Sequence, residues 1–331
     1  MVAACGAMLG CGGGDEVAVI TEQRVMMDTV VSISVYAASE DSSLVIRADI
    51  DKAFAAVARI DSLMSSYTET SEVAEINRRA ATSAVTISVD LDSVLQTAQW
   101  ASAVSHGAFD VSVAPILQLW GFGTEHQGVP DSQSVRELLP KVDYRLLKKE
   151  HGTLRFAKPG MAIDLGGVAK GYAVDVAVES LQGAGYRDVM VKAGGDLRTL
   201  ASPLTAGRRY IWIQHPREAD KFFGKFRFDS GAVSTSGDYE RFFERDGVRY
   251  HHIIDPQTGY PARRAVSATV LANDSRTADA LSTALFVLGP ERGIALADSL
   301  AEVEAVIVSI AGDKLAWRAT SGLAPRLAII Q

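Results

Sequence analysis

The segment Asp164-Leu-Gly-Gly-Val-Ala-Lys-Gly-Tyr-Ala-Val-Asp175 lies near the middle of this 331-residue chain and opens a predicted helix over residues 168–181. Glycines at a strand-to-helix turn let the backbone approach a ligand, and the first N–H groups of a helix attract anions. Lys170 adds a mobile positive charge and Asp164 an acceptor, so the pattern predicts a cradle for a phosphorylated ligand. It matches neither the Walker loop nor Gly-x-Gly-x-x-Gly. Taken alone, it is explained more simply as a tight turn.

The composition is that of a globular protein, with 47% hydrophobic residues, 22% charged residues and a net charge of −7. The acidic balance, without a long basic run, argues against nucleic acid as a partner. No stretch approaches the roughly 20 consecutive apolar residues that a membrane-spanning helix needs. The length allows one large domain or two medium domains with a sizeable core.

Both cysteines, Cys5 and Cys11, lie in the first eleven residues, so no thiol is available downstream for catalysis, zinc or disulfides. Cys11 follows Met8-Leu-Gly10 and precedes three glycines, as at the end of a bacterial lipoprotein signal; Cys5 fits more loosely. A basic n-region and a full apolar h-region are missing, so either the start is truncated or the match is accidental. We expect residues 1–22 to be a signal or tether. The protein would then be lipid-anchored through Cys11 in the cell envelope, on the periplasmic side of the inner membrane.

Hydrophobic periodicity divides the rest of the chain into irregularly interleaved strands and helices. A first strand is predicted over residues 24–37, followed by a long helix capped by Asp41 or Ser42. A second helix is predicted over residues 90–105, with Gly107 as its stop signal. Downstream of the central turn we predict strands over 188–193, 210–214, 225–229, 248–254, 265–271, 304–310 and 315–318, and helices over 277–288 and 290–300. This order predicts a mixed α+β fold rather than a doubly wound sheet.

Asp279 and Thr283, in Ala278-Asp-Ala-Leu-Ser-Thr283, are spaced i,i+4 on a predicted helix, so their oxygens emerge on one face. With a carbonyl from a nearby loop they would form a hard-oxygen set suited to Mg²⁺. The alternative is an aspartate that complements the helix dipole and a packed threonine. The spacing alone favours that simpler interpretation.

Tyr250-His-His-Ile-Ile-Asp-Pro-Gln-Thr-Gly259 is typical of a strand entering a tight turn. Neighbouring strand residues point to opposite faces, so only one of His251 and His252 can enter a given site. We expect one histidine to pack and the other to be available for acid–base chemistry near neutral pH. Ser234-Thr-Ser-Gly237 and Gly194-Gly-Asp196 are either hairpin approaches or ligand-facing loops. Tyr67 either packs or stacks on a planar ligand.

Taken together, ordered blocks of residues from about Met26 to the C-terminus resemble the ApbE family of flavin transferases, the FAD:protein FMN transferases. Each block is weak alone, but their number and order argue against chance. The blocks are Met27-x-Thr29, Ser65-x-Tyr67, Gly107-Ala-Phe-Asp110 with Trp120-Gly-Phe122, Asp164 to Gly171, Gly194-Gly-Asp196, Ser234-Thr-Ser-Gly237, His252-Ile-Ile-Asp-Pro256 and Ala278 to Thr283. The resemblance implies one transferase domain over residues 23–331. Its fold would be α+β and similar to the T-fold, with a largely antiparallel sheet flanked by helices.

The resemblance also implies a reaction. A threonine hydroxyl of an acceptor protein attacks the FMN-side phosphorus of Mg²⁺-bound FAD, AMP leaves, and FMN stays joined by a phosphoester. The acceptor motif would be similar to Asp-Gly-x-Ser/Thr-Gly-Ala-Thr, which occurs in membrane redox subunits.

The resemblance assigns roles to residues of this chain. Asp279, Thr283 and the carbonyl of Gly167 would hold Mg²⁺. His252 is the candidate base and Asp279 the second choice, since a metal-bound carboxylate is a poorer base. The residues implied in FAD binding are Met27, Tyr67, Ala108, Phe109, Asp110, Asp164, Lys170 and Ile254.

The chain departs from the family pattern at a few positions. Asp28 stands where the family usually has glycine, which places a negative charge near an anionic ligand, and Val111 and Ser112 replace Pro-Thr. Two other functions stay open: an FAD pyrophosphatase that uses water as acceptor, and a non-catalytic FAD-binding lipoprotein. The pair Asp279 and Thr283 argues against the second, because storage needs no metal on the pyrophosphate.

Overall fold

The computed structural model describes residues 17–38 and 43–330. Within them the chain forms seven α-helices: α1 Ser43–Met64, α2 Glu72–Arg79, α3 Val89–Val104, α4 Ala114–Trp120, α5 Ser132–Leu138, α6 Ala169–Gly183 and α7 Ser275–Ser299. α7 is bent at Gly289, whose φ of 78° is not helical and which precedes Pro290. The two helices predicted on either side of this pair are therefore the two halves of one bent element.

The same residues form eighteen strands: β1 Val17–Met26, β2 Thr29–Ala38, β3 Val85–Thr86, β4 Leu147–Glu150, β5 Thr153–Phe156, β6 Val189–Ala193, β7 Asp196–Leu200, β8 Tyr210–Gln214, β9 Phe222–Arg227, β10 Gly231–Gly237, β11 Phe242–Arg245, β12 Val248–His251, β13 Ile254–Asp255, β14 Tyr260–Pro261, β15 Ser267–Ala272, β16 Glu304–Ala311, β17 Lys314–Ala319 and β18 Ala328–Ile329. Eight of them form the main sheet in the order β1-β2-β6-β7-β10-β15-β16-β17. Every neighbouring pair in this sheet is antiparallel. The predicted α+β class is confirmed.

The single strand predicted over residues 24–37 is wrong, because a hairpin turn at Met27 and Asp28 divides it into β1 and β2. Met26 pairs with Thr29, so the turn has two residues, with φ of 51° and 56°. Two-residue turns with positive φ at both positions usually carry Asn-Gly, but here the two residues are Met27 and Asp28, so the sequence does not indicate the turn.

The expected tether over residues 1–22 overlaps β1 from Val17 onward. β1 is an edge strand with mostly exposed side chains, so its sequence carries no clear apolar alternation. Residues 1–16, with Cys5 and Cys11, lie outside the described residues, as does the expected helix cap at Asp41 or Ser42.

Helices cover one face of the main sheet, and a small sheet covers the other. The predicted apolar face of α1 is buried, and with α6 it packs on β2 and β6 in one core cluster. α7 packs on β10, β15 and β16 in a second cluster. Val233 and Leu271, whose side chains point the opposite way, pack against Phe223 and Phe226 of the three-stranded sheet β18-β9-β8.

α7 is the one helix in residues 17–38 and 43–330 that is long and apolar enough to cross a membrane by length and composition. However, 67% of its apolar window is buried inside the protein. That degree of burial is typical of a core helix, so its hydropathy is accounted for by the packing of the domain.

α6 and α7 cross in close contact at Gly171, where an added Cβ would stand 2.3 Å from the carbonyl oxygen of Ser275. Two carboxylates join the helices there. Asp175 of α6 accepts from the backbone N–H groups of Ser275 and Arg276 at 2.8 and 3.0 Å. Asp279 of α7 accepts from the N–H of Gly171 at 3.0 Å. Helix packing thereby fixes Asp279 beside the glycine-rich turn that precedes α6.

Candidate active site

A cavity of about 750 Å³ opens where the glycine-rich turn, α7 and the end of β10 meet. This volume is in the usual range for sites that bind small molecules and cofactors. The cavity brings together every residue that the sequence analysis assigned to FAD, metal or proton transfer: Met27, Tyr67, Ala108, Phe109, Asp110, Asp164, Gly167, Lys170, His252, Ile254, Asp279 and Thr283. Their individual roles remain predictions.

The glycine-rich turn is held in place by its own polar atoms and by close packing. The N–H of Asp164 donates to the carbonyl of Val111, and the N–H of Gly166 donates to the Asp164 carboxylate, both at 2.8 Å. An added Cβ on Gly167 would stand 3.0 Å from the Phe109 ring and 3.2 Å from Thr283 Oγ1. Glycine at this position lets the backbone of the turn lie directly against Thr283.

Asp279 lies at the charged end of the cavity and is 3% exposed. Lys170 Nζ is 3.1 Å from the carboxylate of Asp196 and 3.9 Å from that of Asp279. Burial, together with the charge of Asp196, raises the pKa of Asp279 to about 7, and Lys170 opposes this shift. Two carboxylates therefore share one ammonium group, and an additional cation would be stabilised there.

The donor set at this end fits a hard cation. Thr283 lies one helical turn after Asp279, beside Gly167, and both residues line the cavity. A carboxylate, a hydroxyl and a backbone carbonyl are oxygen ligands of the kind that Mg²⁺ takes, with water and substrate phosphates completing its shell. Within residues 17–38 and 43–330 no group of three or more His, Cys, Asp or Glu residues could hold a metal. An ion here would depend on phosphate and water for its remaining ligands.

A chain of hydroxyl groups, which the sequence analysis did not identify, connects Asp196 to Thr283. Ser234 Oγ lies 2.6 Å from Asp196 Oδ1 and 3.3 Å from Ser282 Oγ. Ser236 Oγ lies 2.7 Å from Ser282 Oγ and 3.3 Å from Thr283 Oγ1. The available signal was the period-two spacing of Ser234 and Ser236 in β10, which places both hydroxyls on the face covered by α7. These hydroxyls orient the polar groups of the charged end.

The two neighbouring histidines have different environments. The strand predicted over residues 248–254 is wrong, because β12 ends at His251 and His252 lies in a bend before β13, so strand alternation does not account for the difference. His251 is buried, with Nε2 2.7 Å from the carbonyl of Ala262 and Nδ1 3.3 Å from the N–H of Ile253. His252 lines the cavity, and its Nδ1 is 3.2 Å from the carbonyl of Arg241. Burial, with the nearby charge of Arg241, lowers the pKa of His252. In the neutral ring Nδ1–H donates to that carbonyl, which leaves Nε2 as a proton acceptor.

The Asp110 carboxylate already has several donors. Its Oδ1 accepts from the N–H and hydroxyl of Ser112 at 2.8 and 2.6 Å, and its Oδ2 accepts from the N–H of Tyr144 at 2.8 Å. Burial raises the pKa of Asp110, and these three bonds oppose the shift. Asp110 shapes the cavity wall by fixing the backbone that carries Ala108 and Phe109.

Another part of the cavity lining is apolar and aromatic. Phe122 and Ile254 line it, and both pack with the fully buried Trp120. The Trp120 ring stacks on Phe122 at 5.6 Å, and its Nε1–H donates to the carbonyl of Gly259 at 2.9 Å. Tyr67 stands at the rim with 69% of its surface exposed, where its ring is free to stack on a planar ligand.

Sequence comparisons identify related enzymes. The model of the ApbE family matches residues 27–307. A FAD:protein FMN transferase from Treponema pallidum is 32% identical over 337 aligned positions, covering 97% of this chain and 92% of the relative. One from Klebsiella pneumoniae is 32% identical over 295 positions, covering 88% and 89% of the two chains.

Solved structures give the same result. The flavin transferase ApbE from Vibrio cholerae superposes with a TM-score of 0.83 at 30% identity, covering 94% of this chain and 100% of that one. The ApbE protein from Thermotoga maritima superposes with a TM-score of 0.84 at 32% identity, covering 93% and 99%. The fold, the residues gathered in the cavity and the family match agree, and this chain belongs to the ApbE family.

Proposed function

We propose that this protein is an FAD:protein FMN transferase that moves FMN from FAD to a threonine hydroxyl of an acceptor protein and releases AMP. The observation that carries the proposal is the meeting of Asp279, Thr283 and Gly167 in a cavity whose lining also includes aromatic and apolar side chains. A dinucleotide with a flavin ring needs both environments in a single site.

These two parts of the cavity lining divide the binding of FAD. The pyrophosphate lies at the charged end, near Lys170 and the turn that begins with Asp164. The planar rings lie against Met27, Tyr67 and Ile254, where apolar and aromatic surface replaces water. Ala108 and Phe109 also line the cavity.

The residues that would hold Mg²⁺ at the charged end are Asp279 through its carboxylate, Thr283 through its hydroxyl and Gly167 through its carbonyl. When bound, the ion neutralises negative charge on the pyrophosphate. Asp279 must be ionised to serve as a ligand, and a nearby cation lowers the pKa that burial and Asp196 have raised.

His252 manages the proton of the acceptor hydroxyl. The hydroxyl oxygen forms a bond to the FMN-side phosphorus, its proton passes to Nε2 of His252, and the bond from that phosphorus to the AMP oxygen breaks. The bond from Nδ1 to the Arg241 carbonyl keeps Nε2 directed to the cavity. Bound phosphate raises the pKa of His252 from its low value, since nearby negative charge favours the imidazolium form. Asp279 is the second candidate for this role.

The acceptor carries a motif similar to Asp-Gly-x-Ser/Thr-Gly-Ala-Thr, as in membrane redox subunits. We place the protein in the cell envelope, on the periplasmic side of the inner membrane, with a lipid on Cys11. Mass spectrometry of membrane-extracted protein tests this location, and an unmodified N-terminus beginning at Met1 would refute the lipid anchor.

The reaction is tested by incubating the protein with FAD and Mg²⁺, with and without an acceptor domain that carries the motif. The expected result is an FMN-sized mass gain on the acceptor that is lost in Asp279→Ala. Asp298→Ala is the matched control, because Asp298 is an exposed aspartate of the same helix outside the cavity. AMP release without acceptor modification would indicate an FAD pyrophosphatase. FAD binding without either product would indicate a carrier.

A further inference from the structure

The turn between β1 and β2 is strained at the mouth of the cavity. Met27 and Asp28 both have positive φ, at 51° and 56°, although neither is glycine. Two-residue hairpin turns of this kind favour Asn-Gly, and a non-glycine pair is costly. Both residues line the cavity, and the N–H of Met27 donates to the Asp61 carboxylate at 3.3 Å. The strain places an aspartate side chain at the ligand entrance.

Asp28 faces a cation across this entrance. Its Oδ2 lies 3.7 Å from Nη2 of Arg241, which belongs to the loop between β10 and β11. The side chains are 67% and 49% exposed, and exposed ion pairs contribute little to stability. The Arg241 side chain is therefore held loosely and can exchange its partner.

Among the described residues that line the cavity, Arg241 and Lys170 carry a permanent positive charge, and Arg241 has the weaker ion pairing. Lys170 is held between Asp196 and Asp279. The guanidinium of Arg241 is close enough to His252 to contribute to the lowered pKa of that ring. Carboxylates outnumber cations among the described lining residues, so the lining as a whole repels an anionic ligand. A guanidinium that turns toward the ligand would offset this repulsion and strengthen binding through charge-assisted hydrogen bonds.

We propose that Arg241 exchanges Asp28 for the pyrophosphate of the bound dinucleotide, so that Asp28 sets the affinity of the site for anionic ligands. The inference rests on the proposed function, because FAD is the ligand in question. The step involves no covalent change: the guanidinium leaves one carboxylate and binds a phosphate oxygen. Asp28 then remains unpaired at the surface, where water solvates it.

The test is a fluorescence titration of FAD into the full chain with Mg²⁺, using Asp28→Asn, Arg241→Gln and the double variant. Asparagine tolerates the left-handed turn, so Asp28→Asn removes charge without new strain. We expect Arg241→Gln to weaken FAD binding about tenfold, and Asp28→Asn to strengthen it about threefold. In the Arg241→Gln background the effect of Asp28→Asn should vanish.

Two controls accompany the cycle. Arg245→Gln removes an exposed arginine four residues further along the chain, at the end of β11, that does not line the cavity, and it should leave FAD affinity unchanged. Riboflavin has no phosphate, so its affinity should be equal in all variants.

Unchanged FAD affinity in Arg241→Gln overturns the proposal. So does a gain from Asp28→Asn that persists without Arg241, because Asp28 would then act on the ligand directly. Titration of inorganic pyrophosphate with Mg²⁺ into the same variants separates the exchange of partners by Arg241 from the proposed function, which requires FAD. If the wild-type chain does not bind FAD, the proposed function fails, and the same cycle measured with pyrophosphate still decides whether Arg241 and Asp28 exchange partners.

Discussion

Two buried aspartates at the α6–α7 crossing have opposite surroundings. Asp175 is 1% exposed and binds Arg198 at 2.9 Å as well as the N–H groups of Ser275 and Arg276. Asp279 is 3% exposed, but its carboxylate accepts from one backbone N–H and lies 3.9 Å from the ammonium of Lys170. Burial raises the pKa of both carboxyls. The donors of Asp175 oppose that shift, whereas Asp196 adds to the shift at Asp279.

The difference is the one we expect between a structural carboxylate and a carboxylate that binds a ligand. A buried carboxylate surrounded by donors finds all its hydrogen-bond and charge partners within the protein, and removing it leaves those partners unpaired. A buried carboxylate that faces a cavity and lies beside another carboxylate has its negative charge balanced only when a cation binds in the cavity. Asp279 lines the cavity and Asp175 does not. Substitutions at the two positions should therefore have different consequences.

The largest expected effect on stability is that of Asp175→Ala. It leaves the Arg198 guanidinium and two N–H groups without their acceptor, and breaking a buried pair in this way costs about 3–5 kcal/mol. Urea denaturation of wild type and variant measures the loss. A change in the free energy of unfolding below about 1 kcal/mol would contradict the structural role of Asp175.

Gly171→Ala should have the next largest effect. The new Cβ would meet the Ser275 carbonyl oxygen at 2.3 Å, so α6 and α7 must move apart. Overpacking of this kind costs about 1–3 kcal/mol, and backbone contacts lie at the upper end. Gly183→Ala is the matched control in the same helix, since nothing lies within 4 Å of its Cβ position. Equal melting temperatures of the two variants would show that the crossing is looser than described.

The sequence predicted the parts of the site that depend on local periodicity. The i,i+4 spacing of Asp279 and Thr283 and the glycine-rich turn are properties of single elements. Each is visible within a few residues, so each appears in the structure as expected.

The parts that the sequence did not predict depend on contacts between distant elements. Nothing near Asp175 indicates that it caps a helix a hundred positions later, and Asp196 meets Ser234 only because β7 and β10 pair. The β1–β2 turn was missed for another reason: Met27 and Asp28 adopt a backbone conformation that their residue types disfavour. Tertiary context overrides local propensity at all these positions.

Thr283→Val should lower transferase activity while leaving the fold intact. Valine keeps the shape of threonine but removes the hydroxyl, whose protein contact in the described structure is Ser236 at 3.3 Å. Loss of one oxygen of the proposed metal site should reduce kcat/KM about tenfold, or about 1.4 kcal/mol. Thr283→Ser, which keeps the hydroxyl, should retain most of the activity. Equal losses in the two variants would assign Thr283 to packing.

The two carboxylates should also differ in how a neutral replacement changes stability with pH. In metal-free protein Asp279→Asn keeps an acceptor for the Gly171 N–H and removes a buried charge beside Asp196. The folded pKa of Asp279 is about 7, and the unfolded value is near 4. Between these values the folded wild-type chain holds a proton that the unfolded chain has lost, so its stability falls as the pH rises.

The uncharged amide of the Asp279→Asn variant has no such slope, so the stability of the variant relative to wild type should grow steadily from pH 5 to pH 8. Asp175→Asn should instead lose stability at both pH values, because an amide nitrogen would face the donors that Asp175 now satisfies. Urea denaturation in EDTA at the two pH values measures both. A loss of stability in Asp175→Asn together with a gain in Asp279→Asn is the result expected if Asp175 stabilises the fold and Asp279 serves to bind a ligand. A loss of stability in both variants would show instead that Asp279 is also a structural acceptor, and its raised pKa would then be a consequence of burial alone.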